Sequence, residues 1–243
     1  MKIKEKLLKY TRADLEADGA INVVIFGDSV SHAAFNGYHD YESVYWNRLK
    51  KKLNATRAYM PVNMICASVG GTTAYASLAR LDSQVLKHEP DLVIVCFGLN
   101  DVNGEYDRYV DSLREIFERC MAAGREVIFL SPNMLNTYAA DDTSPDVYEY
   151  AKKTAVMQNE GRMDRYIYGA MELARGMGVA VCDCYSIWKE RAKHGEDVTM
   201  LLSNRINHPT EEMHELFAEE LYKLIMSEGD DEKGEHDSGM FKE

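Results

Sequence analysis

Ile21-Asn22-Val23-Val24-Ile25-Phe26, running into Gly27-Asp28-Ser29-Val30-Ser31, is the stretch that decides the fold. Six mostly β-branched or aromatic residues without strict alternation, ended by a glycine and a short polar run, read as a strand buried on both faces of a parallel sheet. Four further runs share this character: Val62–Cys66, 92–97, 127–130 and 179–182. Helical patterns fall between them at roughly 41–55, 74–88, 105–123 and 162–176. A last one runs from Pro209, a residue permitted at a helix's first position, to about Met226. Gly124 and Gly178 stand where left-handed helix caps are expected. The alternation of strand and helix predicts a three-layer α/β/α fold around a five-stranded parallel sheet.

The 243 residues, 46% hydrophobic and 28% charged, suit one domain over 1–226 with a sizeable core. Of the net charge of -12, residues 227–243 carry a net of -5, and this acidic tail is read as disordered. An acidic chain lacks the positive footprint that a nucleic-acid partner requires. Residues 1–20 contain no apolar signal segment, and no run approaches a membrane span. The odd count of five cysteines, most of them in apolar runs, reads as reduced thiols of a cytoplasmic protein. Cys182 and Cys184 are placed on one face of a strand; with no histidine near them, a metal pair is set aside. The stretch 133–159 is too long for an ordinary connection and holds a helical piece near 147–158. It reads as a pocket wall or lid, with a surface excursion of no role as the alternative.

Ligands of open α/β sheets sit beyond the carboxyl ends of the strands. That edge collects Ser29 after the first strand, Gly70-Gly71 after the second, and Gly98-Leu99-Asn100-Asp101 after the third. Asn207-His208-Pro209 stands just ahead of the last helix. A hydroxyl, a glycine turn, a side-chain amide and an imidazole are the parts acyl transfer needs. Serine is a weak nucleophile until a base takes its proton, and the oxyanion formed requires N–H donors already in place. Each part alone has a plainer reading: Ser29 as a turn former, His208 as a surface residue, Asn100 as a cap, Gly70-Gly71 as a turn. Asp28 is expected to order the nucleophile turn. His32 and His39 either line the pocket or face solvent, and His88, His194, His214 and His236 are read as surface residues.

Through Gly27-Asp28-Ser29, Gly70, Gly98-Leu99-Asn100-Asp101 and His208, the chain resembles the SGNH (GDSL-type) hydrolase family. The resemblance implies a flavodoxin-like sheet of order 2-1-3-4-5, with Ser29 as nucleophile and His208 as base. It further implies an oxyanion hole made by the backbone N–H groups of Ser29 and Gly70 and the side chain of Asn100. One position departs from the pattern. The family usually has Asp three residues before its histidine, and here Arg205 stands there. Expected substitutes are a backbone carbonyl of the 203–206 turn, Asn204 or Asn207, then Glu211, Glu212 or Asp183. Arg205 itself is a candidate contact for substrate.

The reading that follows is a serine esterase without cofactor or metal, removing a small acyl group, acetyl above all, from a small-molecule or oligosaccharide ester. Asn133, Asn136, Thr137, Tyr138 and Tyr148 are offered as a polar pocket suited to sugars. Two alternatives share the scaffold: a binding protein that has lost turnover, and a nucleotide or flavin binder using the Ser29 loop as a phosphate cradle.

Overall fold

A computed structural model describes residues 1–57 and 61–227, so the acidic tail and His236 lie outside the described residues, apart from Ser227. Five parallel strands, β1 (Ile21–Gly27), β2 (Val62–Cys66), β3 (Leu92–Cys96), β4 (Glu126–Leu130) and β5 (Ala180–Cys182), form one sheet of order β2-β1-β3-β4-β5. The order follows from burial. All five residues of β3 are buried, and β1 lies beside it with only Asn22 reaching partial exposure. The expectation that every run is buried on both faces fails for β2. As an edge strand it leaves Asn63 and Cys66 exposed. Gly27 pairs with Cys96 and Ile25 with Cys66, which brings the ends of β1, β2 and β3 to one edge.

The helices are α1 (Lys2–Lys9), α2 (Arg12–Asp18), α3 (Tyr45–Thr56), α4 (Ala74–Ser77), α5 (Leu81–Gln84), α6 (Tyr106–Ala122), α7 (Tyr148–Asn159), α8 (Arg162–Gly176), α9 (Cys184–Lys193) and α10 (Glu211–Met226). Helices α1, α3, α9 and α10 pack on one face of the sheet, α4, α6 and α8 on the other. A continuous apolar core extends from Ile3 to Ile225. Gly124 and Gly178 take the left-handed backbone expected of helix caps.

Several boundaries differ from the sequence expectation for local reasons. Helix α3 starts at Tyr45 because the Asp40 carboxylate accepts from the N–H groups of Glu42 and Ser43 and holds 40–43 in a turn. The pattern at 74–88 is broken into α4 and α5 by 3-10 turns, one of them ending at Arg80, whose guanidinium reaches back to the Ala67 carbonyl. Helix α10 starts at Glu211, not Pro209. Pro209 bridges to Leu202, and the Thr210 N–H donates to the Leu201 carbonyl, which keeps this backbone extended. Three helices were not anticipated: α1, α2 and α9. The Thr11–Asp14 capping box starts α2, and the Asp183 side chain caps α9. Cys184 therefore opens a helix instead of sharing a strand with Cys182, though their sulfurs lie 3.8 Å apart. His214 is fully buried, not at the surface. It sits on the face of α10 turned to α3, its ring parallel to Tyr45.

Gly27 shows how closely the edge is packed. A Cβ there would come within 2.5 Å of Ser31 Oγ and 2.6 Å of the Cys96 carbonyl oxygen. Gly27→Ala is expected to lower stability by about 1–3 kcal/mol, the usual cost of overpacking. Urea denaturation followed by far-UV circular dichroism checks it, and an unchanged midpoint would contradict the packing described.

Candidate active site

The chain leaves β1 through Asp28, whose buried carboxylate accepts from the Val30 N–H at 3.1 Å. A tight turn follows, closed by bonds from the N–H groups of His32 and Ala34 to the carbonyls of Asp28 and Ser29. Ser29 stands at its start, 8% exposed. Its Oγ lies 3.0 Å from Nε2 of His208, 179 residues later. The opposite ring nitrogen, Nδ1, lies 2.7 Å from the Phe35 carbonyl oxygen. A carbonyl only accepts, so Nδ1 carries the proton and Nε2 is left bare toward Ser29. Burial, chiefly, and then His39 hold the His208 pKa below its ordinary 6.5, against the raising effect of the Phe35 bond.

Phe35 was not among the groups expected to support the histidine. The substitutes considered lie elsewhere or do other work. Asn204 accepts with its Oδ1 from the N–H groups of Ile206, Asn207 and His208, and so shapes the histidine's loop. Its Nδ2 donates to Asn207 Oδ1. Glu211 and Glu212 are exposed in the first turn of α10, and Asp183 caps α9. Arg205 does not face the pair. With φ at +59° its side chain turns outward, where Nε and Nη2 meet Asp142 at 3.0 Å and Nη1 donates to the Leu202 carbonyl. The carbonyl of Phe35 is aimed by a local device: Ala33 takes a left-handed φ of +63°, and Ala34 bridges to His39. No residue type announces such a geometry.

Stretch 133–136 braces the same loop. Asn133 Nδ2 donates to the Asn207 carbonyl at 2.9 Å, and the Asn136 N–H donates to the Ile206 carbonyl at 2.9 Å. Both asparagines are fully buried, so they do not line a pocket as expected; their amides satisfy backbone carbonyls that have no water to turn to. Thr137 bonds to Thr199, Tyr138 donates to Asp197, and Tyr148 lies under Lys152.

On the other side of Ser29 lies the Gly70 turn. A Cβ on Gly70 would stand 3.8 Å from Ser29 Cβ, so the two segments face one another. The positive φ expected of this turn belongs to Gly71 (+74°). Asn100 Nδ2 donates to the Thr72 carbonyl at 3.1 Å, joining the third strand's loop to the second's. Gly98 is required there: its φ is +144°, and a Cβ would stand 2.6 Å from Ile167 Cδ1. Asp101, also buried, accepts from the Ala74 N–H at 2.9 Å. Asp28 and Asp101 each keep one oxygen without a partner among the described residues. Burial lifts both pKa values to about 7, that of Asp28 also through the charge of Asp101. Arg80 ties the layer together, donating to the carbonyls of Ala67 and Gly27 and lying 4.7 Å from the Phe26 ring centre. Sequence reasoning missed it because an arginine in a helical pattern reads as solvated surface.

At this edge Ser29 contacts His208, the Gly70 turn lies beside Ser29, and Asn100 is tied to that turn through Thr72. Residues 25–216 match the GDSL-like lipase/acylhydrolase family. The chain belongs to that family, and with it to the carboxylic-ester hydrolases. Among solved structures, the fold is shared with the acetyl xylan esterase AlAXEase (18% identity, 84% of this chain and 98% of that one, TM-score 0.64). It is shared as well with Axe2, an acetylxylan esterase of Geobacillus stearothermophilus (18%, 86% and 95%, TM-score 0.67). A third is LAE5, an alpha/beta hydrolase enzyme from the metagenome of Lake Arreo, Spain (21%, 86% and 98%, TM-score 0.67). A stretch of 96 residues is 31% identical to the uncharacterized lipoprotein YqeF of Bacillus subtilis strain 168; the match spans 39% of this chain and 38% of that relative. Among the described residues no group of three or more His, Cys, Asp or Glu side chains is placed to hold a metal ion. No helix there is long and apolar enough to cross a membrane.

Asn204→Ala removes the acceptor of three backbone N–H groups next to the histidine. The expected result is a 10- to 100-fold fall in esterase kcat, roughly the effect of one or two lost buried hydrogen bonds, with Arg205→Ala within about threefold of wild type because its ion pair with Asp142 is partly solvated. Steady-state kinetics of the two variants side by side check this; the reverse ranking would contradict the loop geometry.

Proposed function

We propose that Ser29 is the nucleophile and His208 the general base of an esterase that removes acetyl groups from a carbohydrate. The observation that carries the mechanism is the ordered pair of contacts at His208: bare Nε2 on Ser29 Oγ, protonated Nδ1 on the Phe35 carbonyl. Ser29 Oγ attacks the ester carbonyl while its proton passes to Nε2. The carbonyl π pair moves to oxygen, giving a tetrahedral oxyanion. Its donors are the Ser29 and Gly70 N–H groups and Asn100 Nδ2. Collapse breaks the bond to the alkoxy oxygen, which leaves with the proton from Nε2, and the acyl group stays on Ser29. A water then repeats the sequence, its proton taken by His208, and releases the acid.

A carboxylate in a triad sets the histidine's tautomer and stabilises its charged form. The Phe35 carbonyl performs the first task fully and the second with a dipole in place of a charge. This separates the two roles that an aspartate at position 205 would combine.

Acetyl and carbohydrate rest on other support. Two of the structural neighbours are acetyl xylan esterases by name. Three half-exposed tyrosines, Tyr38, Tyr41 and Tyr75, rise from the segments that carry Phe35, His32 and the Gly70 turn. Exposed aromatic faces next to hydroxyls suit the mixed surface of a sugar. The buried asparagines no longer count toward this reading. A soluble, cytoplasmic setting acting on oligosaccharides is part of the same proposal.

Hydrolysis of p-nitrophenyl acetate and labelling by a fluorophosphonate test the mechanism. Ser29→Ala is expected to lose both, with a fall in kcat of at least about 1,000-fold, and His208→Ala to lose turnover to a similar degree. A wild type that neither labels nor hydrolyses would overturn it. Acetylated xylo-oligosaccharides should be turned over faster than butyryl or longer esters; the opposite preference would remove the substrate assignment.

The pH profile gives an independent check. His208 acts in its neutral form, and its pKa lies below 6.5. The acid limb set by His208 should therefore lie below pH 6.5, with its loss of activity as the lowered pKa is crossed. An acid limb of kcat/KM centred above 6.5 would contradict the burial of the ring.

A further inference from the structure

We propose that His32 is a positioning residue of the oxyanion site, holding the Gly70 N–H on its bare Nδ1 so that this donor is aimed before substrate arrives. The inference rests on the reading of Gly70 as an oxyanion donor. The three donors are not equally prepared. The Ser29 N–H has no partner among the described residues, and Asn100 Nδ2 commits one of its two hydrogens, to the Thr72 carbonyl. Gly70 has a single N–H, and it points to His32 Nδ1 at 3.3 Å.

That donor needs a restraint. Gly70 and Gly71 are adjacent, Gly71 in a left-handed conformation; the Thr72 hydroxyl (2.7 Å) and N–H (3.4 Å) both close the turn on the Val69 carbonyl, and neither bond involves the Gly70 N–H. Consecutive glycines have the widest backbone freedom available, whereas an oxyanion donor is effective only if its direction is fixed beforehand. His32 supplies the direction. A Cβ on Gly70 would lie 3.7 Å from His32 Nδ1 and 3.8 Å from Ser29 Cβ, so ring and nucleophile flank the same peptide. A 3.3 Å bond is long enough for the hydrogen to be shared with an incoming carbonyl oxygen in a three-centre arrangement.

The ring is itself held. Because Nδ1 accepts, the neutral ring bears its proton on Nε2, 3.3 Å from the Tyr41 hydroxyl. The His39 ring lies edge-on at 4.9 Å, and its own centre is 6.2 Å from that of Tyr41. The titratable and charged groups facing His32 are thus His39, Tyr41 and Arg80, none of them acidic. Burial first, then His39 and Arg80, keep the ring's pKa below 6.5. Protonation would place a hydrogen on Nδ1, directed at the Gly70 N–H, and break the contact.

Two variants and the pH profile test this. His32→Leu is expected to lower kcat 10- to 100-fold with KM within threefold, a fraction of the 100- to 1,000-fold that loss of a whole donor costs. His32→Asn, whose Oδ1 can stand where Nδ1 stood, should recover kcat to within about threefold. Below pH 6.5, log kcat/KM of the wild type should fall with a slope steeper than one proton, since His32 and His208 both titrate; His32→Asn should return it to one. In the Ser29→Ala background, the Gly70 amide resonance should move with pH when His32 is present and stay fixed in His32→Asn. Equal kcat for His32→Leu and wild type, with Ser29 labelling intact, would overturn the role of His32 and leave the esterase reading standing. Equal impairment of both variants with an unchanged slope, or a Gly70 resonance indifferent to pH, would also overturn it. A wild type without turnover or labelling would overturn both readings at once.

Discussion

The hydrogen bond from His208 Nδ1 to the Phe35 carbonyl is the contact on which the site depends. It decides which ring nitrogen is bare, and the proposed proton transfer from Ser29 needs that nitrogen to be Nε2. Two groups of contacts converge to make it. The left-handed Ala33 and the bridge from Ala34 to His39 turn the carbonyl outward; Asn204, Asn133 and the bridge from Leu202 to Pro209 hold the imidazole over it. The first follows directly from β1 and the second lies between α9 and α10, so the sheet order that places β1 near its middle also places the two parts of the pair.

Next to this pair, further polar groups are buried. Arg80 ties the ends of β1 and β2 through the Gly27 and Ala67 carbonyls, Asp101 joins the end of β3 to the start of α4, and Asp28 closes its own turn on Val30. Burial lifts the pKa values of the Asp28 and Asp101 carboxyls to about 7. Burial, which raises these carboxyls, lowers His32 and His208.

The sheet was legible because a β-branched run ended by glycine fits a buried strand and little else, and the order of Ser29, Gly70, Asn100 and His208 along the chain maps directly onto strand ends. What escaped was carried by groups with no side-chain signature. The Phe35 carbonyl, the outward turn of Arg205 at positive φ, and the Gly70 N–H on His32 are facts of backbone direction. Helix α9 was lost because its cap, Asp183, sits in an apolar run that reads as strand to its end. Asn133 and Asn136 misled in the opposite sense: amides in a long polar connection suggest a wet pocket, yet tertiary packing buried them as braces.

A main-chain carbonyl has no codon of its own. Every amino acid at position 35 would bring the same oxygen, so no single substitution there deletes the group that orients the histidine. It fails only when the path of the chain between Ser29 and His39 changes. Under the proposed mechanism position 205 is released from acid–base work, and an arginine tied to Asp142 on the outside of the loop occupies it. In this protein the helper of the histidine is inherited as a shape, and altering its strength is a problem of loop design instead of residue choice.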